Sequence, residues 1–217
     1  WEVTLTLTDP DGVDGAATRT LELATRPAPA VPENGPVRHV YPPGYTGKKE
    51  RPAYKSLMHA VNGYHTWCDE MQTVHPDAAP PGTVVRVHAG TYRIDRFNYR
   101  DPTQLWLNGT YVFVADGTPA KPLYIVAAGD GEAIIDGAGC HTLFNITAAD
   151  HLHFAGLTIR NCFIAFQCGF QGTQGCTGLA VTDCWIENIA YGVHAQDSRS
   201  RNFYIADNVF VGSNPTA

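Results

Sequence analysis

The sequence predicts an all-β protein whose larger part is a solenoid, a parallel sheet coiled into stacked turns. Three observations predict it. Strands are marked by period-two alternation, a unit of about 24 residues recurs along the chain, and the composition is rich in corner residues and poor in charge. Of 217 residues, 21 are Gly and 15 are Pro, while only 17% are charged, against roughly 25% in an average soluble domain. A hydrophobic fraction of 44% excludes a disordered chain, because enough apolar surface exists to offset chain entropy. The composition also argues against a helical bundle. A net charge of -6 argues against a nucleic-acid binder held by a basic surface. No run of 18 apolar residues marks a membrane helix.

The first element is a hairpin. Trp1, Val3, Leu5 and Leu7 alternate with Glu2, Thr4, Thr6 and Thr8, as in a strand with one buried face. Asp9-Pro10-Asp11-Gly12 follows, a turn cluster read as a hairpin turn in preference to a calcium loop. A second strand places Thr18, Thr20, Glu22 and Thr25 among Leu21, Leu23 and Ala24. Two strands cannot bury a core alone, so residues 1–26 are expected to be the end of a β-sandwich whose earlier strands precede Trp1. Residues 27–37, with Pro27, Pro29, Pro32 and Pro36, are expected to be a linker, since each Pro lacks a donor and fixes φ.

Between residues 52 and 71 the period changes. Tyr54, Leu57, Met58, Val61, Tyr64, Cys68 and Met71 follow helical spacing, with Pro52 as the first helical residue and Gly63 able to bend or end the helix. His59 and His65 lie on this helix, either as polar face residues or as groups for metal or acid–base chemistry.

After Pro80-Pro81-Gly82 the period returns to two. Three segments align without gaps: residues 152–161 (LHFAGLTIRN), 179–188 (LAVTDCWIEN) and 203–212 (FYIADNVFVG). Phe154, Val181 and Ile205 match, as do Ile159, Ile186 and Phe210; from Ile135 the steps to the latter three are 24, 27 and 24 residues. A further strand per turn is readable at Leu143-Phe144, Ile164-Ala165-Phe166 and Tyr191-Gly192-Val193. No turn can bury its own face, so the turns must stack and share one core. Asn161, Asn188, Gly212 and Gly137 share one slot, where a corner with positive φ and an axial Asn ladder are expected. The repeat is still in stride at Val211-Gly212, so the solenoid is expected to continue past residue 217.

PGTVVRVHAGTYR (residues 81–93), PLYIVAAGDGEAIIDG (residues 122–137) and the three aligned turns resemble the right-handed parallel β-helix of the pectin-lyase-like superfamily. The resemblance covers residues 38–217 and implies that the helix at 52–71 caps the first turn. Residues 1–12 (WEVTLTLTDPDG) resemble the closing hairpin of a PKD-type immunoglobulin-like domain. Together they imply a secreted, carbohydrate-active protein, a monomer that takes a polysaccharide and neither nucleic acid nor membrane. A polysaccharide lyase acting on a uronate-containing glycan by β-elimination comes first. A non-catalytic glycan-binding or adhesion β-helix and a glycoside hydrolase are the alternatives, because this fold hosts several activities.

Cys68, Cys140, Cys162, Cys168, Cys176 and Cys184 include no CxxC pair, which argues against structural zinc. A disulfide from Cys168 to Cys176 would close the Gly-rich loop between them, whereas Cys162 and Cys184 read as small buried hydrophobes. Asn108 and Asn145 open glycosylation sequons.

With alternate residues pointing inward, Arg86, Tyr124, His153, Ala180 and Tyr204 form one outward column, and His88, Val126, Ala155, Thr182 and Ala206 the next. Either these are scattered exposed side chains on a solvated sheet, or a groove along them binds sugars through Tyr124 and Tyr204, and carboxylates through Arg86, His88 and His153. Elimination needs the carboxylate neutralised and a base for the neighbouring proton. The only Lys are Lys48, Lys49, Lys55 and Lys121, so Lys121, Arg160, Arg199, Arg201, His153 and His194 stay open as candidates and no catalytic residue is assigned. Asp183 and Asp207 occupy equivalent positions and are either a shared calcium site or a corner ladder. Asp136, Arg160 and Glu187 fall in register as a charge ladder. His151 and His153, near Asp150, read as exposed histidines or a metal pair.

Overall fold

The computed structural model describes residues 2–8, 16–22, 29–54, 56–63, 75–93, 110–169, 175–196 and 199–212. The chain forms two compact units, Trp1–Ala30 and Val31–Ala217. In the first, β1 (Glu2–Thr8) and β2 (Ala16–Glu22) pair antiparallel, with Glu2 opposite Glu22 and Thr8 opposite Ala16. Their Thr-rich sequences suit a pleated ribbon. The Asp9–Gly12 turn lies outside the described residues.

The second unit is mostly parallel strand. It begins with β3 (Val37–Val40), β4 (Ala53–Tyr54) and a helix α1 (Leu57–Asn62), followed by β5 (Val84–Val87), β6 (Gly90–Arg93) and β7 (Tyr111–Val112). Four strand pairs complete it: β8 (Leu123–Ala127) with β9 (Ala133–Asn145), β10 (Leu152–Ala155) with β11 (Thr158–Cys168), β12 (Ala180–Thr182) with β13 (Trp185–Ala195), and β14 (Tyr204–Ala206) with β15 (Val209–Gly212). One sheet has the order β14-β12-β10-β8-β5-β3-β4, the other β15-β13-β11-β9-β6, with β7 also paired to β9. From β8 onward the chain alternates between the sheets, so each pair lies beside the one before. The architecture is all-β and compatible with a β-helix-like solenoid.

The aligned segments stack in the expected register. Val85, Ile125, Phe154, Val181 and Ile205 are successive partners in one sheet. Tyr92, Ile135, Ile159, Ile186 and Phe210 are partners in the other. Both columns are buried except at the last turn, where Ile205 and Phe210 are exposed. The centre is a ring stack: Phe144 lies 5.9 Å from Phe113, 5.1 Å from Phe154 and 5.2 Å from Phe166.

Four expectations are corrected. The helix is shorter than residues 52–71: Ala53 and Tyr54 pair with His39 and Val40, and Ser56 caps the helix by accepting from the His59 N–H at 3.1 Å. Gly63, at φ 84, ends it, since only a residue without Cβ adopts that conformation freely. Residues 64–74, His65 among them, lie outside the described residues. Arg38 donates to the Ala60 carbonyl at 2.9 Å and Asn62 to the Val112 carbonyl at 2.7 Å, fixing both sides of this short helix.

The second correction concerns strand number. The strands at Leu143, Ile164 and Tyr191 continue β9, β11 and β13 around a bend, so each turn contributes to two sheets. The register shifts between Arg160 and Cys162 and between Glu187 and Ile189. Asn161 (φ 58) and Asn188 (φ 50) sit at those shifts, which turns the strand without ending its pairing. Gly137 does not share their conformation; in β9 the left-handed residues are Ala138 and Gly139. Gly212 has no positive φ either.

Third, Cys168 and Cys176 are neighbouring buried thiols, with no disulfide between them. Cys162 and Cys184 lie in the core as small hydrophobes, and Cys68 lies outside the described residues. Fourth, Arg86 is partnered by Val126 and Val84 by Tyr124, two residues off the expected column.

Candidate functional site

The bend at Asn161 and Asn188 carries a polar cleft. A cleft of about 480 Å³ is lined by Arg93, Asp136, Ala138, Gly139, Asn161, Cys162, Phe163, Asn188 and Ala190. Asp136, Arg160 and Glu187 are successive register partners across β9, β11 and β13, the alternating ladder expected from sequence, and Arg93 on β6 extends it beside Asp136. Asp136 is its hub. One carboxylate oxygen accepts from Arg160 Nε at 3.2 Å, the other from the Ala138 N–H at 2.9 Å and from Asn161 Nδ2 at 3.0 Å. Asn188 Nδ2 donates in turn to Asn161 Oδ1 at 2.7 Å, so the axial Asn ladder forms. Burial opposes ionisation of Asp136, but the bonds from Asn161, Ala138 and Arg160 outweigh it and hold the carboxyl below its ordinary range.

Past the bend, rings emerge from three successive strands. His141 lies 5.1 Å from Phe163, Phe163 lies 5.4 Å from Tyr191, and Tyr191 lies 5.2 Å from His194. Phe163 and Tyr191 are each 48% exposed, and Trp185 on the same sheet is 45% exposed. An exposed row of rings beside paired guanidinium and amide groups offers apolar faces and charge-assisted donors side by side.

The residues expected to line a groove lie elsewhere. Tyr124 and His153 are buried; Tyr124 belongs to a second apolar cluster with Val84 and Val126, against which Val31 and Ala155 pack, and His153 lies 5.5 Å from its ring. Burial pushes the Tyr124 phenol up. His153 shares a hydrogen bond of 3.0 Å with Thr182 Oγ1. Arg86 and Tyr204 are half-buried. The column is therefore not the open strip that simple alternation implies. Asp183 (φ 55) and Asp207 (φ 58) are exposed corner residues and belong to none of the metal-holding groups among the described residues. Asp150 accepts from the Thr177 N–H at 2.6 Å and His151 is a left-handed corner, so this segment serves the turn. Arg199 lines a second, smaller cleft with Asp116 and Asp150. His59 meets Tyr54 edge-on at 4.9 Å. The Asn145 side chain is buried and accepts from the Thr147 N–H, which leaves that sequon closed in the folded chain.

His88 belongs to a different constellation, which sequence reading did not assemble. Its Nδ1 lies 2.7 Å from Asp130 Oδ2, and its Nε2 lies 2.9 Å from His39 Nδ1. The other Asp130 oxygen accepts from the Ala89 N–H at 3.0 Å. His39 Nε2 lies 3.8 Å from Glu50 Oε2. Both imidazoles are buried and Glu50 is exposed. Tyr41 stacks on His88 at 4.0 Å and its hydroxyl accepts from the Glu50 N–H at 2.6 Å, so one ring holds both ends of the group. Burial lowers the His39 pKa; Glu50 opposes this, while His88 and Arg86 add to it. For Asp130 burial raises the pKa, but the bonds from His88 and Ala89 leave it below the ordinary value.

Comparison of the chain with family models, with curated proteins and with solved structures found no match.

Proposed function

We propose that this chain is a secreted, monomeric protein that holds an acidic polysaccharide against a right-handed parallel β-helix of the pectin-lyase-like kind, with residues 1–26 as a hairpin of PKD type. The observation that carries this reading is the ring row His141, Phe163, Tyr191 and His194 beside the cleft of Arg93, Asp136 and Asn161. Neighbouring strands in a sheet lie ≈ 4.8 Å apart, so rings on successive strands form a continuous surface for the C–H faces of linked sugars. Arg93 and Arg160 supply positive charge for uronate carboxylates, with Asp136 fixing the Arg160 head. Asn161 and Asn188 bring amides toward hydroxyls. The net charge of -6 provides no general basic field, which favours a few local contacts over bulk attraction.

β-Elimination by a polysaccharide lyase is the second reading. It is favoured by Arg93 and Arg160 standing in register on either side of Asp136, where a guanidinium neutralises a substrate carboxylate and makes the adjacent proton acidic. A glycoside hydrolase is less well supported, since it needs two carboxylates across one bond and Asp136 is the one carboxylate among the described residues of this cleft.

The test is affinity electrophoresis in polygalacturonate, alginate and a neutral glucan, paired with ultraviolet detection of unsaturated products, with and without a calcium chelator. Retardation by a polyuronate that weakens in Phe163→Ala supports the binding face. Growth of absorbance decides for the lyase, and its loss on chelation with recovery on adding Ca(II) but not Zn(II) assigns calcium as cofactor. Neither retardation nor product would sink both readings.

A further inference from the structure

The buried pair His39 and His88 has a hydrogen-bond order that its partners dictate. Asp130 is an acceptor at both oxygens, so the proton between it and His88 sits on His88 Nδ1. Neutral His88 then presents a lone pair at Nε2, which must accept from His39 Nδ1–H. Neutral His39 is left with a bare lone pair at Nε2. That lone pair faces the Glu50 carboxylate at 3.8 Å. Two acceptors facing each other at this separation can be bridged by a cation.

We propose that His39 Nε2 and Glu50 bind a first-row divalent cation of the zinc class, with water completing its coordination and His88 and Asp130 holding the tautomer. The donors are one imidazole nitrogen and one carboxylate, a set that suits zinc and its neighbours, whereas calcium and magnesium take oxygen ligands. Zn–N and Zn–O bonds of ≈ 2.0–2.2 Å allow a ligand separation of at most about 4.2 Å, and the 3.8 Å between these atoms falls inside it. The exposed Glu50 can close the few tenths of an ångström to a tetrahedral angle. A ligating histidine whose other N–H is engaged toward a carboxylate is the usual outer-shell arrangement; here the engagement runs through a second histidine. His39, Glu50 and His88 offer ligand atoms within 4.8 Å of one another. Arg86 and Lys49 are the opposing charges nearby, Lys49 Nζ lying 5.7 Å from the Tyr41 ring centre. The site is independent of the glycan reading.

Zn(II) alone is titrated calorimetrically into the full, reduced chain, and Co(II) is followed by its visible spectrum. One equivalent should bind, raise Tm, and give Co(II) bands without thiolate charge transfer. Glu50→Gln, an exposed change that leaves the metal-free Tm in place, should weaken binding at least about tenfold, and Asp130→Asn should weaken it by releasing the tautomer. Three results would overturn the proposal: no uptake at millimolar Zn(II), uptake indifferent to Glu50→Gln, or a thiolate band assigning the metal to cysteine. An imidazole nitrogen NMR signal showing His39 Nε2 protonated in the presence of Zn(II) would overturn it as well.

Discussion

At the scale of single residues, the bend is held by Asn161. It combines a left-handed φ of 58 with an amide that donates to Asp136 and accepts from Asn188. Asn161→Ala loses both bonds and places a Cβ-bearing residue without compensating polarity in that conformation, so unfolding in urea should show a loss of about 2–4 kcal/mol. Asn161→Gly should lose less, because glycine restores the backbone tolerance. Asp136 makes the second residue-scale prediction. Its folded carboxyl titrates below its unfolded value of ~3.9. It therefore adds stability that is complete above that unfolded value and disappears as pH falls through the lower folded one. In acid denaturation followed by circular dichroism, Asp136→Asn should flatten this part of the pH profile; an unchanged profile would refute the assignment. The Asn slot was legible in sequence because few residues other than Gly and Asn adopt positive φ. Gly137 was misplaced because β9 carries extra residues at the bend, and a gapless alignment cannot see an insertion that the sheet absorbs as a register shift.

At the scale of elements, the paired strands were legible and the helix only partly. Inward columns such as Val85, Ile125, Phe154 and Val181 repeat in every turn, so each turn reports on the next. The helix had no such partner. Helical spacing over residues 52–71 ran through Tyr54, whose backbone pairs with Val40, and sheet pairing outweighed periodicity there. Phe154 shows what the columns contribute. It is fully buried, with Phe166 at 4.8 Å and Phe144 at 5.1 Å. Phe154→Ala should cost about 3–5 kcal/mol in equilibrium unfolding, since rings held by neighbouring turns cannot close the cavity freely. Ser56→Ala should cost only about 1 kcal/mol, the usual worth of one helix cap. If the two losses came out equal, the core would not be the principal source of stability.

At the scale of the whole molecule, repetition made the fold readable and hid the candidate site. Stacked turns impose the same inward residues again and again, but the outward residues answer to no such rule. His141, Phe163 and Tyr191 are separated by 22 and 28 residues, off the repeat of the core, because the bends differ in length. Strict alternation pointed instead to Tyr124 and His153, which are buried, Tyr124 in an apolar cluster that Val31 packs against. The ring row is thus a property of the assembled stack, and its behaviour should separate from that of the core. Phe163→Ala with Tyr191→Ala removes two half-exposed rings, so stability should change by less than ~1 kcal/mol. If these rings carry the glycan, each stacking contact is worth about 0.5–1.5 kcal/mol, and the double variant should bind a polyuronate roughly 5- to 150-fold more weakly. Salt tests the other half of the surface. Raising ionic strength screens Arg93 and Arg160 and should weaken polyuronate binding, while any binding of a neutral glucan through the rings alone should persist. A double variant that binds both polymers as the parent does would remove this face from consideration.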